Sequence, residues 1–152
     1  MKFGLLAFLG FCVSRCHDLN NDYEHSFAAK FWAEHRTGTS PLDADAAKLS
    51  VEQQYAIYRY GTEYFRPGTF SYEQLVLYGP RAVPLLRSKL RQLDDSWSVW
   101  TVAIVLEEMN GRTYNVASDP GLSADLWAAA QRARGPYSVL NKQIAQRIAP
   151  RH

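Results

Sequence analysis

The sequence predicts an all-α protein, a compact bundle of about six helices. Apolar residues recur at spacings of three and four in several segments, as they do along one face of a helix. Capping residues, glycines and prolines separate these segments. The one segment that alternates weakly, 112–118, has no second strand to pair with and is therefore predicted to be an extended loop.

The first 16 residues resemble a bacterial secretory signal peptide. A positive start, Met1-Lys2, precedes an uninterrupted apolar run over residues 3–13. That run is too short to span a bilayer, which needs about 20 residues. The alternative is an N-terminal helix buried in the domain. The resemblance implies export, with the periplasm or outer membrane as the predicted location and secretion as an alternative.

The end of this leader, Val13-Ser14-Arg15-Cys16, is similar to the lipobox of bacterial lipoproteins. The resemblance implies that Cys16 is lipidated and that the protein is attached to a membrane by that lipid. Arg15 departs from the pattern, because a small residue is expected before the cysteine. The alternative is ordinary cleavage after Ser14, which leaves Cys16 as a single thiol available for intermolecular pairing.

Residues 17–152 are predicted to form a single helical domain without net charge. The chain has 17 Lys and Arg and 15 Asp and Glu, and Lys2 and Arg15 are the only charged residues of the leader. The remaining domain therefore carries 15 basic and 15 acidic residues, 15 − 15 = 0. This balance gives no electrostatic reason to expect nucleic acid as a partner.

Three helices are predicted before residue 79. The first covers residues 21–36, with Tyr23, Phe27 and Phe31 on one face. The second begins at Ser50, where Gln53 has the spacing of a capping box, and ends at 67–68. The third is short, covers 71–78 and ends at Gly79.

Residues 79–111 are predicted to form an antiparallel helical hairpin. Its first helix starts with Pro80 and carries the apolar stripe Val83, Leu86, Leu90 and Leu93, opposite a solvated basic face. That face consists of Arg81, Arg87, Ser88, Lys89 and Arg91. Ser96 is the predicted N-cap of the second helix, and Gly111 its left-handed C-terminal stop. The second stripe consists of Val99, Trp100, Ala103, Leu106 and Met109.

This hairpin resembles a HEAT-type helical repeat. A glycine, then Ala82-Val83-Pro84 leading into Leu85-Leu86, an acidic turn at Asp94-Asp95 and a second amphipathic helix carry the resemblance. Such repeats stack into solenoids that bind other macromolecules. No second copy of the Ala-Val-Pro signature occurs, so we expect one HEAT-like hairpin within a compact domain.

Two more helices are predicted after residue 118. Asp119 is the N-cap and Pro120 the first residue of a helix whose buried face contains Leu122, Leu126, Ala129 and Ala133. Residues 135–136 end it. The final helix has a predicted apolar face of Tyr137, Leu140, Ile144 and Ile148.

No pattern of catalytic, cofactor-binding or metal-binding residues is found, and the chain is predicted not to be an enzyme. His25 and His35 lie ten residues apart, about 15 Å along a helix, which is too far to share one metal ion. Glu107 and Glu108 are adjacent and diverge on a helix, so they cannot form a glycosidase pair. A hydrolase assembled from residues distant in sequence is the alternative.

A dense group of aromatic residues between positions 55 and 78 is the predicted partner-binding surface. Tyrosine is amphipathic and favours protein interfaces. The alternative is that these side chains pack internally with their hydroxyl groups hydrogen-bonded. We predict a protein partner, as for an immunity protein that masks a secreted toxin, with a structural lipoprotein as the alternative. The residues are Tyr55, Tyr58, Tyr60, Tyr64, Tyr72 and Tyr78.

Overall fold

The computed structural model describes residues 22–35, 48–64 and 72–149, and throughout these ranges it contains helices and no strands. This confirms the all-α prediction. Two 3₁₀ turns, Gly79–Arg81 and Val116–Ser118, lie between α-helices. The helices are α1 (Asp22–His35), α2 (Val51–Tyr64), α3 (Glu73–Tyr78), α4 (Val83–Gln92), α5 (Ser96–Met109), α6 (Pro120–Arg132) and α7 (Ser138–Ile148).

Local signals place several helix ends where they were predicted. Ser50 and Gln53 form a reciprocal capping box, each side chain accepting a hydrogen bond from the other residue's amide. The Asp119 carboxylate accepts from the Leu122 amide at 2.9 Å and caps α6. Gly111 adopts the predicted left-handed conformation, with a φ of +75°, but α5 already ends at Met109 and the backbone of Asn110 is extended.

The start of α4 differs from the prediction because the segment contains two prolines. In an α-helix the ring of Pro84 would clash with the carbonyl group four residues earlier, that of Pro80. The chain instead forms the 3₁₀ turn at Gly79–Arg81, and the α-helix begins at Val83. Pro84 then lies in the first turn, where amide groups have no partner within the helix.

The predicted N-cap of α5 is wrong by one residue. Asp95, not Ser96, caps the helix, and its carboxylate accepts from the Ser98 amide at 2.9 Å. Ser96 is buried and contacts the start of α7 instead. Its hydroxyl accepts from the Tyr137 amide at 3.1 Å, and its carbonyl accepts from the Asn141 side chain at 3.0 Å.

One large apolar core connects α2 to α7. The predicted stripes of α4 and α6 point into it, and so does that of α5 except at Trp100, which is only half-buried. Helical spacing is therefore confirmed as a burial signal at the other positions. Helix α5 is buried on several sides, because Val102 and Val105 are enclosed as well as the predicted stripe. The fully enclosed members include Leu86, Leu90, Val99, Leu106, Met109, Leu122 and Leu126.

Helices α4 to α7 pack as two consecutive hairpins. Helix α4 lies on α6 and α5 lies on α7, while α6 and α7 also pack on each other. The two hairpin turns are joined by backbone hydrogen bonds, from Ser96 N to Arg134 O and from Arg134 N to Asp94 O, both 2.8 Å. Arg132 donates to the carbonyl groups of Leu90 and Leu93 at the end of α4.

A second, smaller core attaches α1 to α2. It is separate from the large core and is rich in aromatic residues, and α1 packs mainly on α2. The Trp32 indole donates to the Ile57 carbonyl at 3.0 Å, which fixes the two helices against each other. Its buried members are Ala28, Phe31, Trp32, Ala56 and Ile57.

The predicted solvated face of α4 is wrong at Lys89. Lys89 is buried, and its ammonium nitrogen lies 4.8 Å from the centre of the Tyr55 ring. A lysine can bury its aliphatic stem and still stabilise its charge against an aromatic face. Helical spacing places Lys89 beside the apolar stripe but does not show that α2 covers it.

The predicted apolar face of α7 is wrong at Leu140, which is 42% exposed. Asn141 is buried in its place, together with Ile144, Ala145 and Ile148. The hydrogen bond from Asn141 to the Ser96 carbonyl holds this polar side chain at the contact with α5. The amide nitrogen of Asn141 is thus paired, whereas its Oδ1 is buried without a hydrogen-bond partner.

Candidate protein-binding surface

The structure separates the six predicted tyrosines instead of placing them on one surface. Tyr55 and Tyr58 are 1% and 4% exposed and belong to the large core, so neither reaches a partner in this fold. The Tyr58 hydroxyl donates to the Thr101 carbonyl at 3.0 Å, and burial raises the pKa of that hydroxyl well above its ordinary value. For these two residues the predicted partner-binding role is wrong.

The remaining four tyrosines lie in two different places. Tyr72 and Tyr78 are half-buried against the large core, and the Tyr78 hydroxyl donates to the Leu49 carbonyl. Tyr60 and Tyr64 stack on each other with ring centres 4.4 Å apart, at the contact between α1 and α2. Only Tyr64 among the six is classed as exposed, so these residues do not form the continuous surface predicted from the sequence.

A different aromatic cluster lies on the outer side of α5 and the start of α7. Trp97 and Trp100, one helical turn apart, stack with ring centres separated by 5.0 Å. Tyr137, immediately before α7, contacts both, at 4.9 Å and 5.1 Å between ring centres. All three side chains are half-buried, so each has one part packed and another part in solvent.

Apolar side chains extend this cluster along the two helices. Ile104 follows Trp100 by four residues on α5 and is half-buried. Exposed Leu140 lies three residues after Tyr137, the spacing of neighbouring side chains on a helix. We call Trp97, Trp100, Ile104, Tyr137 and Leu140 the aromatic face.

Charged residues mark the two ends of the aromatic face. At one end Arg147 of α7 pairs with Glu107 of α5, with 2.7 Å between Nη2 and Oε1. At the other end Asp94 and Asp95 are exposed beside the N-terminus of α5. The surface therefore has an apolar centre with a charged border, the usual layout of a protein interface.

The part of the chain that the structure describes shows no arrangement of side chains typical of a metal site. Among the described residues, no group of three or more His, Cys, Asp and Glu side chains could hold a metal ion. His25 contacts the rings of Tyr60 and Tyr64, and its Nε2 lies 3.3 Å from the Tyr64 hydroxyl. No carboxylate side chain joins it in this part of the structure. None of the helices described here has the length and apolarity needed to cross a membrane.

Several sequence predictions fall on residues outside the described ranges. They include the leader, Cys16 and the predicted helix end at 67–68. The signal peptide and the lipidation of Cys16 therefore stay predictions.

The sequence contained a weak signal for the aromatic face. Trp97 lies outside the apolar stripe predicted for α5, so helical spacing gave no reason to place this tryptophan in the core. Trp100, Tyr137 and Leu140 were instead predicted on buried apolar faces, and the packing of α5 and α7 leaves them half-buried or exposed. The density of tyrosines between 55 and 78 was the more obvious signal, but it reflects internal packing in part.

Comparisons with known proteins gave no match to this chain among family models, curated proteins or solved structures.

Proposed function

We propose that this chain is a non-catalytic, exported protein-binding domain of the bacterial envelope, with the aromatic face as its contact surface. The observation that carries this proposal is the set of three contacting rings, two tryptophans and a tyrosine, that remain half-exposed beside exposed Leu140. Tryptophan and tyrosine are the residues most enriched among those that dominate binding energy at interfaces. The proposal of export rests on the leader, residues 1–16.

The packing of the hairpins supports a HEAT-like architecture for this domain. Equivalent helices of the α4–α5 and α6–α7 hairpins pack on each other, and the hairpins repeat after about 40 residues, the length typical of HEAT repeats. Domains built in this way present one helix of each hairpin on a shared surface, which is used for binding. Helices α5 and α7, which carry the aromatic face, are the second helices of the two hairpins.

An inhibitor or immunity protein that masks a secreted toxin is the specific version we favour. Such a protein needs a rigid surface and no reactive groups. The turn-to-turn hydrogen bonds between the hairpins hold α5 and α7 in fixed register and so preorganise the aromatic face. A preorganised surface loses little conformational entropy on binding, which favours high affinity.

The test is capture of a partner from envelope extract with the mature domain, followed by measurement of affinity for three variants. Trp97→Ala and Leu140→Ser alter the aromatic face, whereas Leu77→Ser alters an equally exposed leucine on α3. We expect Trp97→Ala to weaken binding about 30-fold, as substitution of a dominant interface residue does. Leu77→Ser should leave the affinity unchanged.

Two results would contradict the proposal. One is a partner bound equally well by Trp97→Ala, Leu140→Ser and the unmodified domain, because that partner would use another surface. The other is the absence of any specific protein at every salt concentration used for capture. Circular dichroism of each variant would show that the fold is intact.

A structural lipoprotein is the second candidate, and the residues Val13-Ser14-Arg15-Cys16 favour it. In that case Cys16→Ser should move the protein from the membrane fraction to the soluble fraction. Intact mass of the native protein would show whether the mature chain begins at Cys16 with an added lipid. Unchanged fractionation of the variant would exclude a lipid anchor at this residue.

A further inference from the structure

Two arginines of α4 stand side by side over an open cleft on the outer face of that helix. The cleft has a volume of about 320 Å³ and is lined by Pro84, Arg87, Ser88, Arg91 and Gln92. All five lie on the outer surface of α4, which packs on α6, whereas the aromatic face belongs to α5 and α7. The cleft is therefore a separate feature from the proposed protein-binding surface.

One carboxylate of α6 orients both guanidinium groups. Arg87 Nε donates to Asp125 Oδ2 at 2.8 Å, and Arg91 Nε donates to Asp125 Oδ1 at 3.0 Å. Burial opposes ionisation of Asp125, but the hydrogen bonds from Arg91 and Arg87 keep the pKa of its carboxyl below the ordinary value. Asp119 also acts electrostatically on Arg87, so two carboxylates lie near the two guanidinium groups, and only Asp125 is hydrogen-bonded to them.

The guanidinium groups retain donors for a ligand. An arginine has five N–H donors, and in the described structure each of these two gives its Nε–H to Asp125. Ser88 and Gln92, hydrogen-bonded to each other at 3.0 Å, add a hydroxyl and an amide to the same cleft. Planar guanidinium groups in fixed positions match the oxygens of phosphate and carboxylate.

Gly121 leaves the space that Arg87 occupies. A Cβ atom at position 121 would lie 2.6 Å from Arg87 Nη2, closer than such atoms can approach. Because residue 121 has no side chain, the Arg87 guanidinium can lie against the first turn of α6. The orientation of the pair thus depends on two residues of α6, Gly121 and Asp125.

We propose that this cleft binds a phosphate monoester through Arg87 and Arg91. A phosphate monoester presents three oxygens to the paired guanidinium donors, whereas a single carboxylate presents two. The volume is at the lower end of the range for ligand pockets, which fits a small phosphorylated molecule or a lipid headgroup that ends in a phosphate monoester. Because the cleft is open, we expect an affinity of about 1 mM.

The test is titration of the whole chain with inorganic phosphate and with glycerol phosphate, followed by backbone amide NMR. We expect shifts limited to residues 84–92 and 119–125. Arg91→Gln should weaken binding about tenfold, since it removes a charged hydrogen-bond donor. Arg81→Gln removes the same charge from an exposed residue that lies over the Tyr78 ring, and it should have no effect.

Gly121→Ala gives a second test that leaves the charge unchanged. Because the atom it meets is the end of a flexible side chain, the helix should fold while the Arg87 guanidinium moves. We expect weaker phosphate binding in this variant as well. If Gly121→Ala and Arg91→Gln both bind phosphate as the unmodified chain does, the site is excluded, and general electrostatic attraction accounts for any binding.

Vesicles distinguish the two sources of the phosphate group. Phosphatidylcholine vesicles with and without phosphatidic acid are sedimented with the chain and with Arg91→Gln. Sedimentation that needs both phosphatidic acid and Arg91 indicates a headgroup, whereas binding of glycerol phosphate alone indicates a free small molecule. Absence of Arg91-dependent binding in both experiments overturns the proposal.

Discussion

Two tryptophans are buried to a similar degree and make the same type of hydrogen bond, but they lie in different cores of this molecule. Trp32 is 7% exposed and donates its indole N–H to the Ile57 carbonyl at 3.0 Å. Trp127 is 9% exposed and donates to the Ala149 carbonyl at 2.7 Å. Trp32 belongs to the small core between α1 and α2, whereas Trp127 belongs to the large core that connects α2 to α7.

The difference lies in how many elements depend on each core. Helices α4 to α7 each contact several neighbours, so loss of one contact weakens all of them together. Helix α1 packs mainly on α2, and its removal leaves the large core enclosed by the other helices. Regions held by one neighbour open locally at a lower free energy than the global free energy of unfolding. Burial of a single side chain therefore does not by itself predict its contribution to global stability.

The largest effect should come from Trp127→Ala. Removal of a buried tryptophan leaves a cavity and costs about 3–5 kcal/mol in the free energy of unfolding. For a chain of this size, each kcal/mol lowers Tm by about 2–4 °C. Thermal unfolding followed by circular dichroism would measure the change. Leu77→Ala, at an exposed residue, is the control. If Trp127→Ala lowers Tm no more than this control does, the large core does not unfold as one unit.

Trp32→Ala should have a smaller effect on global stability, although the side chain is buried to the same degree. We expect α1 to detach while α2 to α7 remain folded, because only the small core loses its contacts. Hydrogen exchange should then show loss of protection across residues 22–35 and retained protection in α5. If both helices lose protection in parallel, the two cores are a single cooperative unit and the comparison is wrong.

A smaller effect again is expected where the two hairpin turns meet. Gly135 has a φ of +122°, and a Cβ at this position would lie 2.6 Å from the Ser96 hydroxyl. Gly135→Ala should therefore cost about 1–3 kcal/mol. Gly111 also has a positive φ, but a Cβ there would meet no atom within 4 Å. Gly111→Ala should cost about 1 kcal/mol, so the difference between the two variants in chemical denaturation isolates the contact with Ser96.

The smallest effect should be a loss of stability in acid, caused by two carboxyl groups at the start of α6 and within it. Hydrogen bonds from the Leu122 amide and from Tyr114 lower the pKa of Asp119 below its ordinary 3.8, and the pKa of Asp125 is also lowered. A carboxyl whose folded pKa is lowered stabilises the fold above its unfolded pKa, and this stabilisation is lost as pH falls through the folded value.

We therefore expect Tm to fall as pH decreases below about 4, from the ordinary pKa of these carboxyls toward their lower folded pKa. Asp125→Asn removes one of the two groups, so its Tm should change less over that interval. A variant whose Tm falls as steeply as that of the unmodified chain would show that Asp125 does not contribute. Measurement of α1 protection over the same interval would show whether acid also acts on the small core.

The sequence alone determined the features that depend on residues a few positions apart. The capping box at Ser50 and Gln53, the cap at Asp119 and the left-handed conformation of Gly111 each consist of local hydrogen bonds or one backbone angle. The apolar stripes of α4 to α6 follow from helical periodicity, and all of their residues except Trp100 are buried in the large core. These signals were sufficient to predict an all-α fold and the approximate helix boundaries.

Only the tertiary structure decided which faces are covered and which remain exposed. Lys89 is buried because α2 brings the Tyr55 ring over it, whereas Leu140 is exposed and its neighbour Asn141 is buried against Ser96 of another helix. Tyr55 and Tyr58 were predicted at a surface and lie in the core, whereas Trp97, Trp100 and Tyr137 form the half-exposed cluster. Periodicity reports the direction of a side chain around its own helix. Burial depends on the neighbours that meet it there, and packing between residues distant in the chain determines those neighbours.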